Sequence, residues 1–213
     1  MRARRRTAGR RKSMKFVFDL GNVMVYYQPV AYLEQLGYGG SRLEELKRAI
    51  FDSKAWLDCD AGTLDRAAET EAMCAEHPEL EADIRRVMEH CEEMLLPIPG
   101  SVRALESLTR RGYECYYLSN TNAPAMDFMG GFDYFGLFSG GVASYAELLA
   151  KPDTAIFRLF LERFGIADPG ECVFIDDSQP NVDAARACGM NAHRLADVEG
   201  LEALVEDILA GRV

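Results

Sequence analysis

The sequence predicts an α/β protein with a doubly wound parallel sheet and a helical segment inserted after the first strand. From residue 97 onward, short apolar runs that end in polar residues alternate with amphipathic helical stretches. That alternation is typical of a parallel sheet with helices on its faces. Residues 30–96 are instead rich in helix formers and lack an alternating strand pattern, so we expect an all-helical insertion there.

The first strand lies at the start of the stretch Lys15–Val25, with the sequence KFVFDLGNVMV. A carboxylate is unfavourable inside a buried strand unless it is paired, so we expect Asp19 at the strand's exit. In an open α/β sheet, ligands bind at the carboxyl ends of the strands. Asp19 is therefore a candidate nucleophile, metal ligand or both, and an Asp that merely ends the strand is the alternative.

The other elements follow from periodicity and from Gly and Pro signals. Within the insertion, helices are predicted at residues 29–36, 42–51, 64–74 and 80–95. Pro97 and Pro99 mark the return to the core, and Ser101 is a candidate N-cap for a helix over 102–111. Further strands are predicted at 113–118, 137–143, 172–175 and 190–195, and further helices at 123–129, 153–164, 180–188 and 198–210. This divides the chain into a core of residues 14–29 and 97–213 and a cap of residues 30–96.

Composition restricts the class of protein. A chain of 213 residues, 48% of them hydrophobic, can bury a sizeable core. It contains no apolar run near the roughly 18 residues that a membrane-spanning helix needs, so we expect no membrane partner. The six cysteines form no C-x-x-C pair, which favours reduced core residues in the cytoplasm. Oligomeric state is not indicated.

The charge is distributed unevenly. Residues 1–13 carry seven basic residues and no acid, so removing them changes the net charge from −10 to −17. We expect this extension to be disordered. It is either a functional basic arm or a stretch upstream of a true start at Met14. The acidic remainder argues against nucleic-acid binding, and an anionic substrate would need positive charge from a metal or a lysine.

Four positions at or beyond strand exits carry the candidate chemistry: Asp19, Ser119, Lys151 and the pair Asp176-Asp177. Strand exits share one edge of a parallel sheet, so these side chains can converge. Phosphoryl transfer through a carboxyl-phosphate needs a carboxylate nucleophile, a metal, and donors for the phosphoryl oxygens.

The inventory for that chemistry is complete. Asp19, Asp177 and the Gly21 carbonyl offer oxygen ligands of the kind that Mg²⁺ prefers. Lys151 supplies a positive charge, and Ser119 with the backbone N–H of Asn120 supplies neutral donors. The expected partner is a small phosphorylated molecule.

Four segments in this order, DLGNV, LSNTN, KPD and FIDDSQPNVDAA, resemble the motifs of the haloacid dehalogenase-like hydrolase superfamily. The helical insertion resembles the cap of that superfamily, and the similarity extends from Phe16 to about Leu195. DLGNV with LSNTN is most similar to the sugar-phosphatase branch. That branch includes the α-glucose-1-phosphate phosphatase and the phosphatase domain of soluble epoxide hydrolases.

The resemblance implies a role for each matched residue. Asp19 would be the nucleophile and a Mg²⁺ ligand, and the Gly21 carbonyl a second ligand. Ser119, Asn120 and Lys151 would hold the phosphate, with Lys151 also neutralising the nucleophile. Asp177 would be the main metal-binding acid, with Asp176 and Asn181 in the layer of residues around it. The implied function is a Mg²⁺-dependent sugar phosphatase that works through an aspartyl-phosphate.

One position departs from the superfamily's pattern. Most of its phosphatases have a second Asp two residues after the nucleophile, which protonates the leaving group, and here that residue is Gly21. A cap residue, Asp176 or an easily leaving substrate would have to compensate. Two alternatives therefore stay open. One is a phosphoester-binding or regulatory protein with little turnover. The other is a haloacid dehalogenase, whose first motif also lacks this Asp but which needs no metal.

Overall fold

The computed structural model describes residues 14–213, and the basic extension at residues 1–13 lies outside them. It contains one five-stranded sheet with parallel pairing throughout, in the order β3-β2-β1-β4-β5. The strands are β1 (Lys15–Phe18), β2 (Glu114–Ser119), β3 (Gly140–Ala143), β4 (Cys172–Asp176) and β5 (Asn191–Arg194). This sheet confirms the predicted fold class.

The helices alternate with the strands after β1 and its insertion. In the insertion they are α1 (Pro29–Gln35), α2 (Gly40–Ile50), α3 (Lys54–Asp60), α4 (Arg66–Glu76) and α5 (Glu81–Met88). In the remainder they are α6 (Pro99–Arg110), α7 (Ala123–Gly130), α8 (Ser144–Glu147), α9 (Thr154–Arg163), α10 (Gln179–Ala187) and α11 (Leu201–Ala210). Short 3₁₀ turns lie at Pro78–Leu80, Cys91–Met94, Asp133–Leu137 and Pro169–Glu171.

Both faces of the sheet are covered because its central strands are apolar on both sides. Phe16 and Phe18 of β1 pack in one cluster with residues of α6 and α11, and with the inserted helices. Val17 points to the opposite face, where it packs in a second cluster with residues of α9 and α10. A strand buried on both faces offers a ligand only its ends, and in parallel α/β sheets ligands bind at the carboxyl ends. This places the expected functional edge of the sheet.

The inserted segment leaves and rejoins the core at adjacent points. The N–H groups of Met24 and Val25 donate to the Leu20 carbonyl at 2.7 and 3.0 Å and close a turn directly after Asp19. The Met24 carbonyl then accepts from the N–H of Ile98 at 2.9 Å. The turn and the returning chain are thus hydrogen-bonded to each other. The division into separate core and cap domains stays a prediction.

Within this segment and its return, one helix is missing from the predictions and two predictions are wrong. Helix α3 was not predicted, because seven residues are too few to show a helical period, although Ser53 caps it by accepting from the Trp56 N–H. The predicted helix over 80–95 ends at Met88, and buried residues of the following 3₁₀ turn conceal the break by continuing the apolar pattern. Ser101 lies inside α6 rather than capping it, because Pro99 starts the helix.

Candidate active site

The site forms where β1 and β4 lie side by side. Asp19 follows β1, and its N–H donates to the carbonyl of Ile175 in β4 at 2.9 Å. Asp176 is the last residue of β4, so the neighbouring strands deliver two carboxylates to one edge. Both residues are buried, Asp176 completely.

Lys151 connects these two carboxylates. Its Nζ lies 2.9 Å from Oδ1 of Asp19 and 2.7 Å from Oδ2 of Asp176, and only 1% of its side chain is exposed. The structure therefore places the predicted lysine directly against the predicted nucleophile. The peptide bond that follows Lys151 is cis.

Asn120 and Ser119 come from the end of β2 and the loop beyond it. The Asn120 side chain donates to the carbonyl of Lys151 and accepts from its N–H, both at 2.8 Å. This pair of bonds fixes the backbone of Lys151, and it leaves the backbone N–H of Asn120 as that residue's candidate donor to a phosphate. The buried Ser119 hydroxyl lies close enough to Asp19 to oppose the rise in the pKa of that carboxyl.

A third carboxylate, from Asp177, completes the cluster. Ligand atoms of Asp19, Asp176 and Asp177 all lie within 4.8 Å of one another. Three carboxylates beside one ammonium leave an excess of two negative charges in a largely buried space. Carboxylate oxygens at this separation fit a hard divalent cation such as Mg²⁺.

The two adjacent acids differ in their surroundings. The Asp176 carboxylate accepts from Lys151, from the Ser178 N–H at 2.8 Å and from the Asn181 amide at 3.0 and 3.1 Å. Asp177 is partly exposed, and its Oδ2 accepts from the Asn22 amide at 3.1 Å. Asp177 is thus the more accessible acid for a cation, while Asp176 and Asn181 are hydrogen-bonded to each other. Their role around a metal ligand stays a prediction.

Burial raises the pKa of Asp19 above its ordinary value, and the nearby Asp176 adds to this, while the ammonium of Lys151 opposes it. Burial by itself would lower the pKa of Lys151, but Asp19 and Asp176 raise it. The lysine therefore stays charged. A cation at the three carboxylates would, like the Lys151 ammonium, oppose the rise in the pKa of Asp19, because a cation favours the ionised forms of carboxylates.

Sequence reasoning missed the contacts of Asn22, which lies in the turn directly after Gly21. Its backbone has a φ of 54°, in the left-handed region that Asn tolerates better than most residues. In this turn its amide donates to Asp177, and its Oδ1 accepts from the Tyr27 N–H at 3.1 Å. Asn22 thus orients a candidate metal ligand that lies 155 residues away. Its place in a turn after the candidate nucleophile was the only available signal.

A family model described as haloacid dehalogenase-like hydrolase matches residues 16–189. The chain belongs to the haloacid dehalogenase-like hydrolase family. It is therefore a hydrolase of that family, as its motifs predicted, and residues Asp19 to Asn181 all fall inside the matched region. The sugar-phosphatase branch within this family stays a prediction.

Three relatives of this haloacid dehalogenase-like hydrolase are informative. The sesquiterpene phosphatase astK from Aspergillus oryzae is 25% identical over 186 residues, covering 85% of this chain and 89% of astK. The HAD family enzyme bt-2542 from Bacteroides thetaiotaomicron, crystallised with magnesium and inorganic phosphate, is 23% identical with a TM-score of 0.67. That match covers 85% of this chain and 93% of the enzyme.

The third relative is the L-2-haloacid dehalogenase from Xanthobacter autotrophicus with chloropropionic acid covalently bound. It is 21% identical with a TM-score of 0.66, and the match covers 92% of this chain and 82% of the dehalogenase. At these identities the two solved structures show a shared fold. They do not distinguish phosphatase from dehalogenase, so that choice depends on the site itself.

Proposed function

We propose that this hydrolase is a Mg²⁺-dependent phosphatase that cleaves a small phosphorylated metabolite, a sugar phosphate, through an aspartyl-phosphate on Asp19. The observation that carries the proposal is the cluster of Asp19, Asp176 and Asp177, whose ligand atoms lie within 4.8 Å of one another beside Lys151. A dianionic phosphate cannot approach a carboxylate nucleophile there unless the excess negative charge is neutralised. Asp19, Asp177 and the Gly21 carbonyl would hold a Mg²⁺ ion, which supplies that neutralisation when bound.

The chain's own residues account for the first chemical step. A carboxylate oxygen of Asp19 attacks phosphorus, the bond from phosphorus to the leaving-group oxygen breaks, and that oxygen departs with the electron pair. Lys151, held by Asp19 and Asp176, faces the transferring oxygens with its positive charge. Ser119 and the Asn120 N–H add neutral donors at the same edge of the sheet.

In the second step, water attacks the phosphorus of the aspartyl-phosphate, which releases inorganic phosphate and restores the Asp19 carboxylate. Gly21 cannot act as an acid or base in either step. Positioned acid–base groups contribute about 10²–10⁴-fold in rate. The proposal therefore favours substrates whose leaving group departs easily, such as a phosphate on the anomeric carbon of a sugar.

The inserted segment contributes residues to a cavity beside the candidate site. The cavity beside Gly21, Ser119 and Asn120 is also lined by inserted-segment residues, among them Trp56 and Arg66. Residues of the inserted segment and the candidate phosphate donors therefore line the same space, so a leaving group bound there would contact both.

The test is phosphate release from a panel of phosphorylated metabolites, measured with Mg²⁺ and with a chelator in its place. We expect release only with Mg²⁺, and loss of release in Asp19→Asn with the far-UV spectrum unchanged. Asp58→Asn is the matched control, because Asp58 lies in α3 and pairs with exposed Lys54. Release that survives Asp19→Asn would refute the proposal.

The same panel distinguishes the two alternatives. Thermal stabilisation by phosphoesters without any phosphate release would favour a phosphoester-binding or regulatory protein that lacks turnover because position 21 is Gly. Halide release from 2-chloropropionate in the presence of a chelator would favour a dehalogenase. The clustered carboxylates argue against the dehalogenase, since a metal-free reaction has no use for them.

A further inference from the structure

The cavity beside the candidate active site has a polar wall whose position is fixed by the loop after β2. The Asn122 amide donates to Oδ1 of Asp60 at 2.8 Å, and its Oδ1 accepts from the Arg66 guanidinium at 3.2 Å. Asn122 also caps α7 and lies two residues beyond Asn120. The same loop therefore positions both Asn120, the candidate phosphate donor, and this wall. A leaving group would lie beside the wall.

The positive charge on this wall is already paired. Among the described residues 14–213, the charged side chains that line the cavity are one cation and two acids. The cation is Arg66, and the acids are Asp60 and Glu92. Its guanidinium makes a short hydrogen bond to Glu92, and it lies 3.2 Å from the Glu69 carboxylate behind the wall. It also lies over the ring of Trp56 at 5.7 Å. These contacts leave Arg66 little freedom to turn toward a ligand.

Burial strengthens the electrostatic interactions of the charged side chains on this wall. The side chains of Arg66 and Glu92 are 20% and 15% exposed, and that of Glu69 is fully buried. Neither oxygen of Glu69 has a hydrogen-bond partner of good geometry, and the Arg66 Nε has none either. Asp60, Glu69 and Glu92 together exceed the single charge of Arg66 by two when all are ionised. Screening by solvent is weak at such sites, so a nearby anion would be repelled.

We propose that this wall, formed by Asp60, Arg66, Glu92 and Asn122, restricts the enzyme to phosphate monoesters whose leaving group carries no second anionic group. The inference rests on the proposed phosphatase function and narrows its substrate class. Uncharged, hydroxyl-bearing alcohols are accepted, because carboxylate oxygens of the wall can accept from their hydroxyls. Bisphosphates and phosphorylated acids are rejected by like charges on the wall.

The test compares matched substrates that differ in one anionic group. The pairs are sorbitol 6-phosphate with 6-phosphogluconate, glucose 1-phosphate with glucose 1,6-bisphosphate, and glycerol 3-phosphate with 3-phosphoglycerate. Saturating Mg²⁺ is used at about pH 8. This pH lies above the pKa of about 6 for Asp60 in the wall and of about 7 for Glu69 behind it, so that both carboxylates are ionised. In each pair that is hydrolysed, we expect kcat/KM to be at least about tenfold higher for the member whose leaving group has no anionic group.

Charge-removing variants test the electrostatic origin of this preference. Glu92→Gln and Asp60→Asn keep the side-chain shape and remove one negative charge each, so the preference should shrink by about threefold or more. Glu89→Gln is the matched control, because Glu89 follows α5 and its side chain is 70% exposed. The ratio should be unchanged in that variant.

The results distinguish a failure of this substrate restriction from a failure of the proposed phosphatase function. Equal or faster release from the charged members overturns this inference but leaves the phosphatase function intact, and so does an unchanged ratio in both wall variants. Absence of release from every ester of the wider panel overturns the proposed function and this inference with it.

Discussion

Lys151→Met should destabilise the protein strongly, because it removes the ammonium between two buried carboxylates. Lys151 Nζ contacts Asp19 at 2.9 Å and Asp176 at 2.7 Å, and the side chains of the lysine and Asp176 are 1% and 0% exposed. Removing one partner of a buried pair costs about 3–5 kcal/mol, since the remaining charge stays buried without compensation. At about 2–4 °C per kcal/mol for a chain of this size, the melting temperature should fall by about 6–20 °C.

The matched control is Lys54→Met, which makes the same substitution in an exposed lysine–aspartate pair. Lys54 is 83% exposed and donates to Asp58 at 2.7 Å. Surface pairs of this kind contribute about 0–1 kcal/mol. Urea unfolding of both variants with a chelator present measures the difference directly.

A second measurement on Lys151→Met examines the cation site. Without the lysine, the three carboxylates carry more uncompensated negative charge, so added Mg²⁺ should raise the melting temperature of the variant more than that of the wild type. If Lys151→Met costs no more than Lys54→Met, and Mg²⁺ has the same effect on variant and wild type, the electrostatic account of the site is wrong.

Three further substitutions have expected outcomes. Burial raises the pKa of Glu69 to about 7, so its folded-state pKa exceeds its unfolded one and its ionisation destabilises the fold as pH rises from about 4.5 to about 7. Glu69→Gln should therefore be more stable than wild type at about pH 8, by on the order of 1–3 kcal/mol, with a smaller gain at about pH 5. Urea unfolding at both pH values, with Glu76→Gln as control, would show no such difference if Glu69 is not buried in its ionised form. Gly21→Asp should speed hydrolysis of glycerol 3-phosphate relative to p-nitrophenyl phosphate by about tenfold or more, because only the first needs an acid. A Cβ at residue 21 would meet just Tyr27 Cβ, at 3.9 Å, so the new side chain has room; an unchanged ratio, or the same gain in Gly21→Ala, counts against this. Asn22→Ala should raise the Mg²⁺ concentration needed for half-maximal activity by about 10-fold, because Asp177 loses the amide that orients it. The same requirement in variant and wild type would show that Asn22 does not support the metal site.

The strand exits were predictable because they follow from local sequence. An apolar run that ends in Asp19 or in Asp176-Asp177 specifies a buried strand with acids at its end, and parallel topology then brings these ends to one edge. The same rule explains why Lys151, in a loop well removed from both acids in sequence, was expected near them. Family resemblance supplied the roles that spacing by itself left open.

The polar wall was not predictable, because its residues meet only through the packing of the inserted segment on the core. Asp60 and Asn122 are 62 residues apart, and Arg66 and Asn122 are 56 apart. Asp60 ends α3, which has too short a sequence to show a periodic pattern. No local rule relates such residues to the loop after β2, so the segment that we propose restricts the substrate is also the part that the sequence describes least well.

None of the helices within residues 14–213 has the length and apolar character that a bilayer crossing requires. The predicted behaviour of residues 1–13 falls outside the described part of the chain. Neither observation affects the chemistry assigned to the strand exits.

The most direct measurement of the central claim is rapid acid quenching of the enzyme during turnover with Mg²⁺ and its best substrate, followed by peptide mass spectrometry. We expect one phosphoryl group on the peptide that contains Asp19, absent when Mg²⁺ is chelated and absent in Asp19→Asn. A phosphoryl group on any other residue, or phosphate release by Asp19→Asn at the wild-type rate, would contradict the assignment of Asp19 as the nucleophile.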